Sequence, residues 1–339
     1  MTTLVIQIPA FNEAPTLPAV LAELPRELPG VDKIFVLVID DGSSDDTGRV
    51  ALRNGADFVL RHRQNRGLSR AFISGIQFGL ALGADLIVNT DADGQYPGAA
   101  IAELIAPILS GEADLAIGDR QLKQNQHFSP MKRLLEGLGS AFVRRVSFTK
   151  VPDAASGFRA FSRFAALQLQ VYNPYSYTLE TLIQAGKGGF RISNVAITTN
   201  PAVRQSRLHK SIGHFIWRQS GAIIRSYVLY QPLRTFLTLG AVSFGAGAIL
   251  ILRFLITYFF LDPGSSRYVQ SVSLGGALLV AGIILTIFGF LGDALRASRK
   301  LTEESLIHLR DVHQIGELSQ LREFCGQPIY SKFHPFPGD

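Results

Sequence analysis

The chain has 339 residues, 47% of them hydrophobic, with 33 Lys and Arg against 27 Asp and Glu, a formal charge of +6. The isoelectric point is near 9.5 and the mean hydropathy is +0.20, which is high for a purely water-soluble protein. The basic surplus suits anionic partners, but no aromatic interleaving or binding motif accompanies it, so nucleic acid is set aside as a partner. The single cysteine, Cys325, excludes an intrachain disulfide and a cysteine metal site.

The first residues, Met1–Ile8, form a short apolar run without the basic flank or length of a signal peptide. This predicts an N-terminal domain that stays in the cytoplasm. From Thr3 to about Asp119, short apolar runs alternate with helix-period segments. Strands are predicted at Leu4–Ile8, Ile34–Asp40, Phe58–Arg61, Leu86–Thr90 and Leu115–Gly118, each β-branched-rich and followed by polar or glycine punctuation. Thr16 is predicted to cap a helix starting at Leu17, and Asp45 or Asp46 one at Thr47–Asn54. Continuous apolar strands alternating with helices imply a mostly parallel sheet covered on both faces. Ligands of such sheets bind beyond the carboxyl ends of the strands.

Further on, 123–130 reads as a loop and Met131–Val146 as an amphipathic basic helix. Tyr177–Gly186 reads as a short helix and Phe190–Thr199 as a strand. His209–Tyr230, aromatic and basic, reads as a helix in a membrane interface. Thr235–Leu261 and Ser271–Leu295 are each long enough to cross a hydrocarbon core of roughly 30 Å. Arg225 and Arg234 precede the pair, Arg296, Arg299 and Lys300 follow it, and the loop between holds one arginine. The positive-inside rule then places both flanks in the cytoplasm. Arg253, inside the first span, is costly there; it pairs with a lipid phosphate or a neighbouring subunit, or snorkels to the far interface. Glycines at 240, 245, 247, 275, 276 and 282 permit close helix contact and, with Arg253, allow a homo-oligomer. After the spans, the charged tail reads as helical and then loose at its Pro-rich end.

Three polar clusters follow predicted strands. The first is Pro9-Ala10-Phe11-Asn12-Glu13. The second is Asp40-Asp41-Gly42-Ser43-Ser44-Asp45-Asp46. Carboxylates at a sheet's carboxyl edge can accept hydrogen bonds from a base N–H or ribose hydroxyls. Asp45 and Asp46 fit a helix cap better, but capping needs only one acid, which leaves Asp40 and Asp41 for a ligand. The third cluster is Asp91-Ala92-Asp93-Gly94-Gln95. At a strand end that turns, both acids can approach one cation, and Mg²⁺ or Mn²⁺ prefers such oxygen ligands while leaving positions for substrate phosphates.

These clusters, with Asp153-Ala154-Ala155-Ser156-Gly157-Phe158-Arg159 and the paired spans, resemble family 2 glycosyltransferases of GT-A fold. Within them they resemble the polyisoprenyl-phosphate glycosyltransferases of the dolichyl-phosphate mannose synthase group. The resemblance implies an α/β, Rossmann-like, mostly parallel sheet, then interfacial helices and a two-helix transmembrane hairpin. It implies that Pro9, Phe11, Glu13, Asp40, Asp41 and Ala92 line the nucleotide pocket. Asp91, Asp93 and Gln95 would hold Mg²⁺ or Mn²⁺, and Arg120 would sit near the sugar or diphosphate. Arg204, Arg207 and Lys210 match a segment that faces phosphates, although juxtamembrane attraction to anionic lipid explains them too. Asp153 is either an acid paired with Arg159 that orients its loop, or a catalytic acid near the acceptor. A phosphate monoester is already anionic, so Asp153 is expected to position more than to deprotonate. Ser156 and Arg159 belong to the acceptor loop. Tyr175, Tyr177 and Glu180 lie near the implied sugar site, with aromatic packing an equal account of the tyrosines.

The expected organisation is a cytoplasmic catalytic domain (1–203), juxtamembrane interfacial helices (204–234), two transmembrane helices with a short external loop (235–295) and a cytoplasmic tail (296–339). The expected activity is metal-dependent, inverting transfer of one sugar from a UDP- or GDP-sugar to a polyisoprenyl phosphate, undecaprenyl or dolichyl. Another membrane lipid, such as diacylglycerol, is the alternative acceptor. The protein would be integral to a membrane, the bacterial inner membrane before the endoplasmic reticulum, with membrane lipids as partners. No Ser/His/Asp constellation is evident along the chain. The Gln-x-x-Arg-Trp element of processive synthases is absent, which argues against a polymerase.

Overall fold

The computed structural model describes residues 1–121, 144, 147, 149–171, 177–201, 228, 231–261, 268–312, 323–331 and 334–336, with backbone alone at 299–300 and 303–312. The chain forms two units, Met1–Ala222 with Leu306–Asp339, and Ile223–Ser305.

In the first unit the elements run β1 (Thr3–Ala10), α1 (Leu17–Glu23), β2 (Lys33–Asp40), α2 (Thr47–Arg53), β3 (Phe58–Arg61), α3 (Leu68–Ala81), β4 (Leu86–Asn89), α4 (Ala100–Leu109) and β5 (Leu115–Asp119). They continue as β6 (Arg159–Ser162), α5 (Arg163–Gln168), α6 (Tyr177–Lys187) and β7 (Ile192–Ala196), and end with β8 (Glu323–Phe324) and β9 (Gln327–Ser331). Among the described residues the strand order is β7-β5-β6-β4-β1-β2-β3-β9-β8. The central strand β1 pairs in parallel with β2 and β4, and β3 extends the parallel run beyond β2. β6 lies antiparallel between β4 and β5.

Side chains alternate across this sheet, as the two-residue period of a strand requires. Val5, Leu37, Ile39 and Ile87 enter one apolar layer with Phe72, Phe78 and Phe161. Leu4, Ile6, Ile8, Val36, Val38 and Val88 enter the other with Leu17, Ile101 and Phe158. The sheet is therefore buried on both faces, as its continuous apolar strands require. The parallel register sets Ala10 beside Asp40 and Gln7 beside Asn89, so β1, β2 and β4 end at one edge, where the polar clusters begin.

Three local features differ from the sequence reading. Thr16 makes no capping bond; its hydroxyl donates to the Glu13 carboxylate at 2.9 Å instead. The strand read at Phe190–Thr199 is shorter, Ile192–Ala196. The end of the tail, read as loose, is a hairpin: β9 pairs antiparallel with β3, Leu60 opposite Ile329. Its turn, Cys325-Gly326, has positive φ at both residues (49° and 75°), the mark of a two-residue hairpin turn.

The second unit holds α7 (Pro232–Ile256), a π-helical turn (Thr257–Leu261) and α8 (Val269–Val312), which extends past the unit's last residue. Two 30-residue stretches, Pro232–Leu261 and Val269–Ser298, are long and apolar enough to cross a membrane, and Val242, Ile249, Phe260, Ile287 and Phe290 face outward. The backbones of α7 and α8 touch at glycine. A methyl on Gly247 would lie 2.7 Å from the Gly275 carbonyl oxygen, and one on Gly282 3.0 Å from that of Gly240. Ser243 adds a 2.9 Å hydrogen bond to the Leu278 carbonyl. Arg253 rests its guanidinium 4.1 Å above the Tyr268 ring, a partner within the chain that the sequence reading did not foresee.

Candidate active site

The edge formed by the ends of β1, β2 and β4 is built from interlocked turns. After β1, Asn12 adopts a positive φ of 56°, which an asparagine tolerates because its side chain bonds locally. Its Oδ1 accepts from the Ser44 amide at 2.8 Å, and its own amide donates to Ser43 Oγ at 2.9 Å. Glu13 is buried and its amide donates to Thr47 Oγ1 at 2.9 Å. Asp45 accepts from the Thr47 amide at 3.0 Å and so fixes the start of α2; Asp46 makes no capping bond and pairs with Arg49 at 3.7 Å. Pro9 lies in β1 opposite Ile39, and Phe11 is 41% exposed just beyond it.

Asp40 and Asp41 divide the work at the end of β2. Asp40 is fully buried; its Oδ1 accepts from the Ser43 amide at 2.9 Å. Its Oδ2 has no hydrogen-bond partner, although Arg61 Nε lies 3.3 Å away without the alignment of a bond. Asp41 engages both oxygens within the chain. Oδ1 lies 2.6 Å from His62 Nδ1 and accepts from the Arg66 amide, and Oδ2 accepts from the Gly67 amide at 2.8 Å. His62 is itself 3.0 Å from Ser74 Oγ through Nε2. The structure thus brings together an Asp41–His62–Ser74 chain that sequence reading did not find. Its members are scattered over 33 positions in sequence and carry no shared motif, and it ties the β3–α3 loop to the end of β2.

Beyond β4 stand Asp91 and Asp93. The Gln95 amide donates to Asp93 Oδ1 at 3.1 Å, a local turn that follows the end of β4. Asp91 is pushed up to about 7, first by burial and then by the charge of Asp93, with Glu13 adding to the rise and Arg120 and Arg159 opposing it. Asn200 clamps this turn through Gln95 O at 2.9 Å and Gly94 O at 3.1 Å. Ala92 is buried between the two acids.

A buried polar chain backs the acids. Gln7 Nε2 donates to Asn89 Oδ1 at 2.9 Å, and Asn89 Nδ2 donates to the Gly157 carbonyl at 2.9 Å and to the Tyr177 hydroxyl at 3.0 Å. The Gly157 amide donates to the Tyr96 hydroxyl at 3.1 Å. Tyr177 stacks on Phe72, centroids 4.0 Å apart, and Tyr96 on Phe158 at 5.1 Å. Burial pushes the Tyr96 hydroxyl up to about 12, so it stays a neutral donor and acceptor. Gly157 packs closely here: a methyl on it would sit 3.0 Å from both Asp91 oxygens and from the Tyr177 hydroxyl.

The loop Asp153–Arg159 is held by two arginines, and their partners correct the sequence reading. Asp153 pairs with Arg120, not Arg159: Nε–Oδ2 is 2.6 Å and Nη2–Oδ1 2.9 Å, a bidentate and buried pair. Arg159, fully buried, donates instead to the carbonyls of Ser156, Thr178 and Ala154 at 2.8–2.9 Å and to Thr181 Oγ1 at 2.5 Å. Burial pushes it down to about 10. Ser156 Oγ is buried without a hydrogen bond, and Glu180 is buried on α6. Arg204, Arg207, Lys210 and Tyr175 lie outside the described residues.

The pattern of the family described as Glycosyl transferase family 2 matches residues 5–169, the span that carries the strand-end acids and the loop Asp153–Arg159. An undecaprenyl-phosphate mannosyltransferase of Micrococcus luteus is 30% identical over 201 residues, covering 56% of this chain and 81% of that protein. The chain belongs to glycosyl transferase family 2. A second relative, the UDP-N-acetylglucosamine–dolichyl-phosphate N-acetylglucosaminyltransferase of Methanococcus voltae, is 31% identical over 214 residues, covering 57% of this chain and 83% of that one. The fold is that of a solved glucosyl-3-phosphoglycerate synthase from Mycobacterium tuberculosis, at a TM-score of 0.52 and 23% identity over 67% of this chain and 79% of that one. The expectations of a GT-A fold and of a glycosyltransferase are met. As a family 2 enzyme, the chain presents Asp40, Asp91 and Asp93 at one sheet edge, behind which Asp41, Asp153 and Arg159 serve as internal braces.

Proposed function

We propose that this enzyme transfers a single sugar, with inversion, from a UDP- or GDP-sugar to a polyisoprenyl phosphate, undecaprenyl or dolichyl, at the cytoplasmic face of a membrane. The observation that carries the reading is the buried acid at the end of β4: Asp91 is pushed up to about 7, first by burial and then by the charge of Asp93. Such a pair of acids is a site that a cation would complete. Their oxygens, with Gln95, suit Mg²⁺ or Mn²⁺. When bound, such an ion neutralises charge on the departing diphosphate. The acceptor reading is supported by the two relatives, whose names specify undecaprenyl and dolichyl phosphate, and by the two span-length helices.

The chain's own residues then have these roles. Pro9, Phe11, Glu13, Asp40 and Ala92 line the nucleotide, and Asp40 Oδ2, still without a hydrogen bond, accepts from a base N–H. Asp41 is a positioning residue that holds the loop from His62 to Gly67. Arg120 turns its charge toward the diphosphate while Asp153 fixes its orientation. Ser156 and the Arg159-braced loop shape the acceptor side, and Arg204, Arg207 and Lys210 receive the lipid phosphate. That phosphate oxygen attacks the anomeric carbon in line, and proximity supplies most of the acceleration. Arginines and lysine flank both spans, which favours cytoplasmic flanks. Replacing Asp93 by Ala tests the reading: transfer is abolished with the fold intact by circular dichroism, and turnover that persists would reject the metal assignment.

A further inference from the structure

We propose that the C-terminal segment belongs to the donor site, with Phe336 a positioning residue that steadies Arg61 against Asp40 and thereby sets affinity for the nucleotide. The inference rests on the reading of Asp40 as a nucleotide residue. Three observations lead to it. First, the segment returns to the catalytic sheet: β9 pairs with β3, the strand that ends at Arg61. Backbone bonds between Ser331 and His334, at 2.9 and 3.0 Å, then fold the chain back. Second, Phe336 is buried at 3% exposure and stacks on Tyr330 with centroids 3.7 Å apart. Third, it stands beside Asp40. A methyl placed on Gly48 would lie 2.6 Å from Phe336 Cζ and 3.1 Å from Asp40 Oδ2, so ring and carboxylate flank one point of α2. The Arg61 guanidinium lies 5.9 Å from the Phe336 centroid.

Arg61 is the residue through which the ring acts. Its Nη2 donates to the Ser43 carbonyl at 3.1 Å and its Nε is 3.3 Å from Asp40 Oδ2. With 37% of its side chain exposed, it gains from a bracing aromatic face. Without the ring, the guanidinium turns to water and the Asp40 carboxylate loses the charge that balances it at the bottom of the pocket.

The test uses the full chain in detergent, with UDP and GDP as calorimetric probes and donor and acceptor KM measured in parallel. Phe336→Leu keeps a large apolar side chain and removes the ring. It is expected to keep the fold by circular dichroism with a small drop in melting temperature from the lost stack on Tyr330, and to weaken binding of the preferred nucleotide and raise donor KM by about 5- to 10-fold, as the loss of a partly desolvated cation–π contact predicts. Acceptor KM stays put. Arg61→Gln gives the same phenotype, and the double variant loses no more than either single one, because both act through one contact. Three results would overturn the proposal: Phe336→Leu leaving nucleotide affinity intact while Arg61→Gln lowers it, additive losses in the double variant, or equal changes in donor and acceptor KM. A wild-type chain that binds neither UDP nor GDP would overturn the donor reading itself, and this inference with it.

Discussion

Asp91 carries the clearest chemical signature in the chain. Its ordinary value is 3.8, and the fold holds it at about 7 through burial and Asp93. A raised acid means that the cation-free fold keeps a proton that the unfolded chain has already released. Its stability therefore falls as pH rises from about 4 to about 7. A divalent cation needs the deprotonated form and removes that penalty. Mn²⁺ should thus raise the melting temperature more at about pH 8 than at about pH 5.5, and Asp91→Asn should erase the difference; an equal shift at both pH values contradicts the assignment. The Arg120–Asp153 pair makes a second prediction. Asp153→Ala strips a buried guanidinium of its carboxylate, which should cost about 3–5 kcal/mol in a denaturant titration. A loss under about 1 kcal/mol would mean that the pair is solvated in solution. The acids at 40, 91 and 93 were legible in the sequence because each follows an apolar strand. The partner of Asp153 was not, because Arg159 lies in the same loop while Arg120 is 33 positions away, and only the engagement of Arg159 with carbonyls decides between them.

At the level of elements, the strands that build the site were readable because continuous apolar runs between helix-period segments leave few alternatives. The runs at 4–8, 34–40, 58–61 and 86–90 fall within a residue or two of the observed strands. β6 was not, since it opens with a buried arginine and carries only two apolar residues, Ala160 and Phe161. β9 escaped for a related reason: a short segment with Pro328 near its start resembles a loop until β3 supplies a pairing edge. Helix packing gives a prediction at this scale. Gly247 of α7 sits against the backbone of α8, so Gly247→Leu should force the pair apart. The measurement is crosslinking between cysteines placed at 243 and 278, whose parent residues already bond; undiminished crosslinking in the leucine variant would contradict the packing.

Taken whole, the chain joins a catalytic sheet to two span-length helices and then comes back to that sheet with its last strands. The mean hydropathy and basic surplus noted at the outset resolve into these parts, since the apolar excess is concentrated in outward-facing helices. What composition does not reveal is the return of the tail, which depends on an open strand edge contributed by residues some 270 positions earlier. The central claim is the identity of donor and acceptor, and one measurement tests it most directly. The purified enzyme is given a panel of UDP- and GDP-sugars with Mn²⁺, together with undecaprenyl phosphate, dolichyl phosphate and diacylglycerol, and the lipid products are weighed by mass spectrometry. The account predicts a polyisoprenyl phosphate heavier by one sugar residue, formed only with the divalent cation; sugar found solely on diacylglycerol, or a lengthening glycan chain, would contradict it.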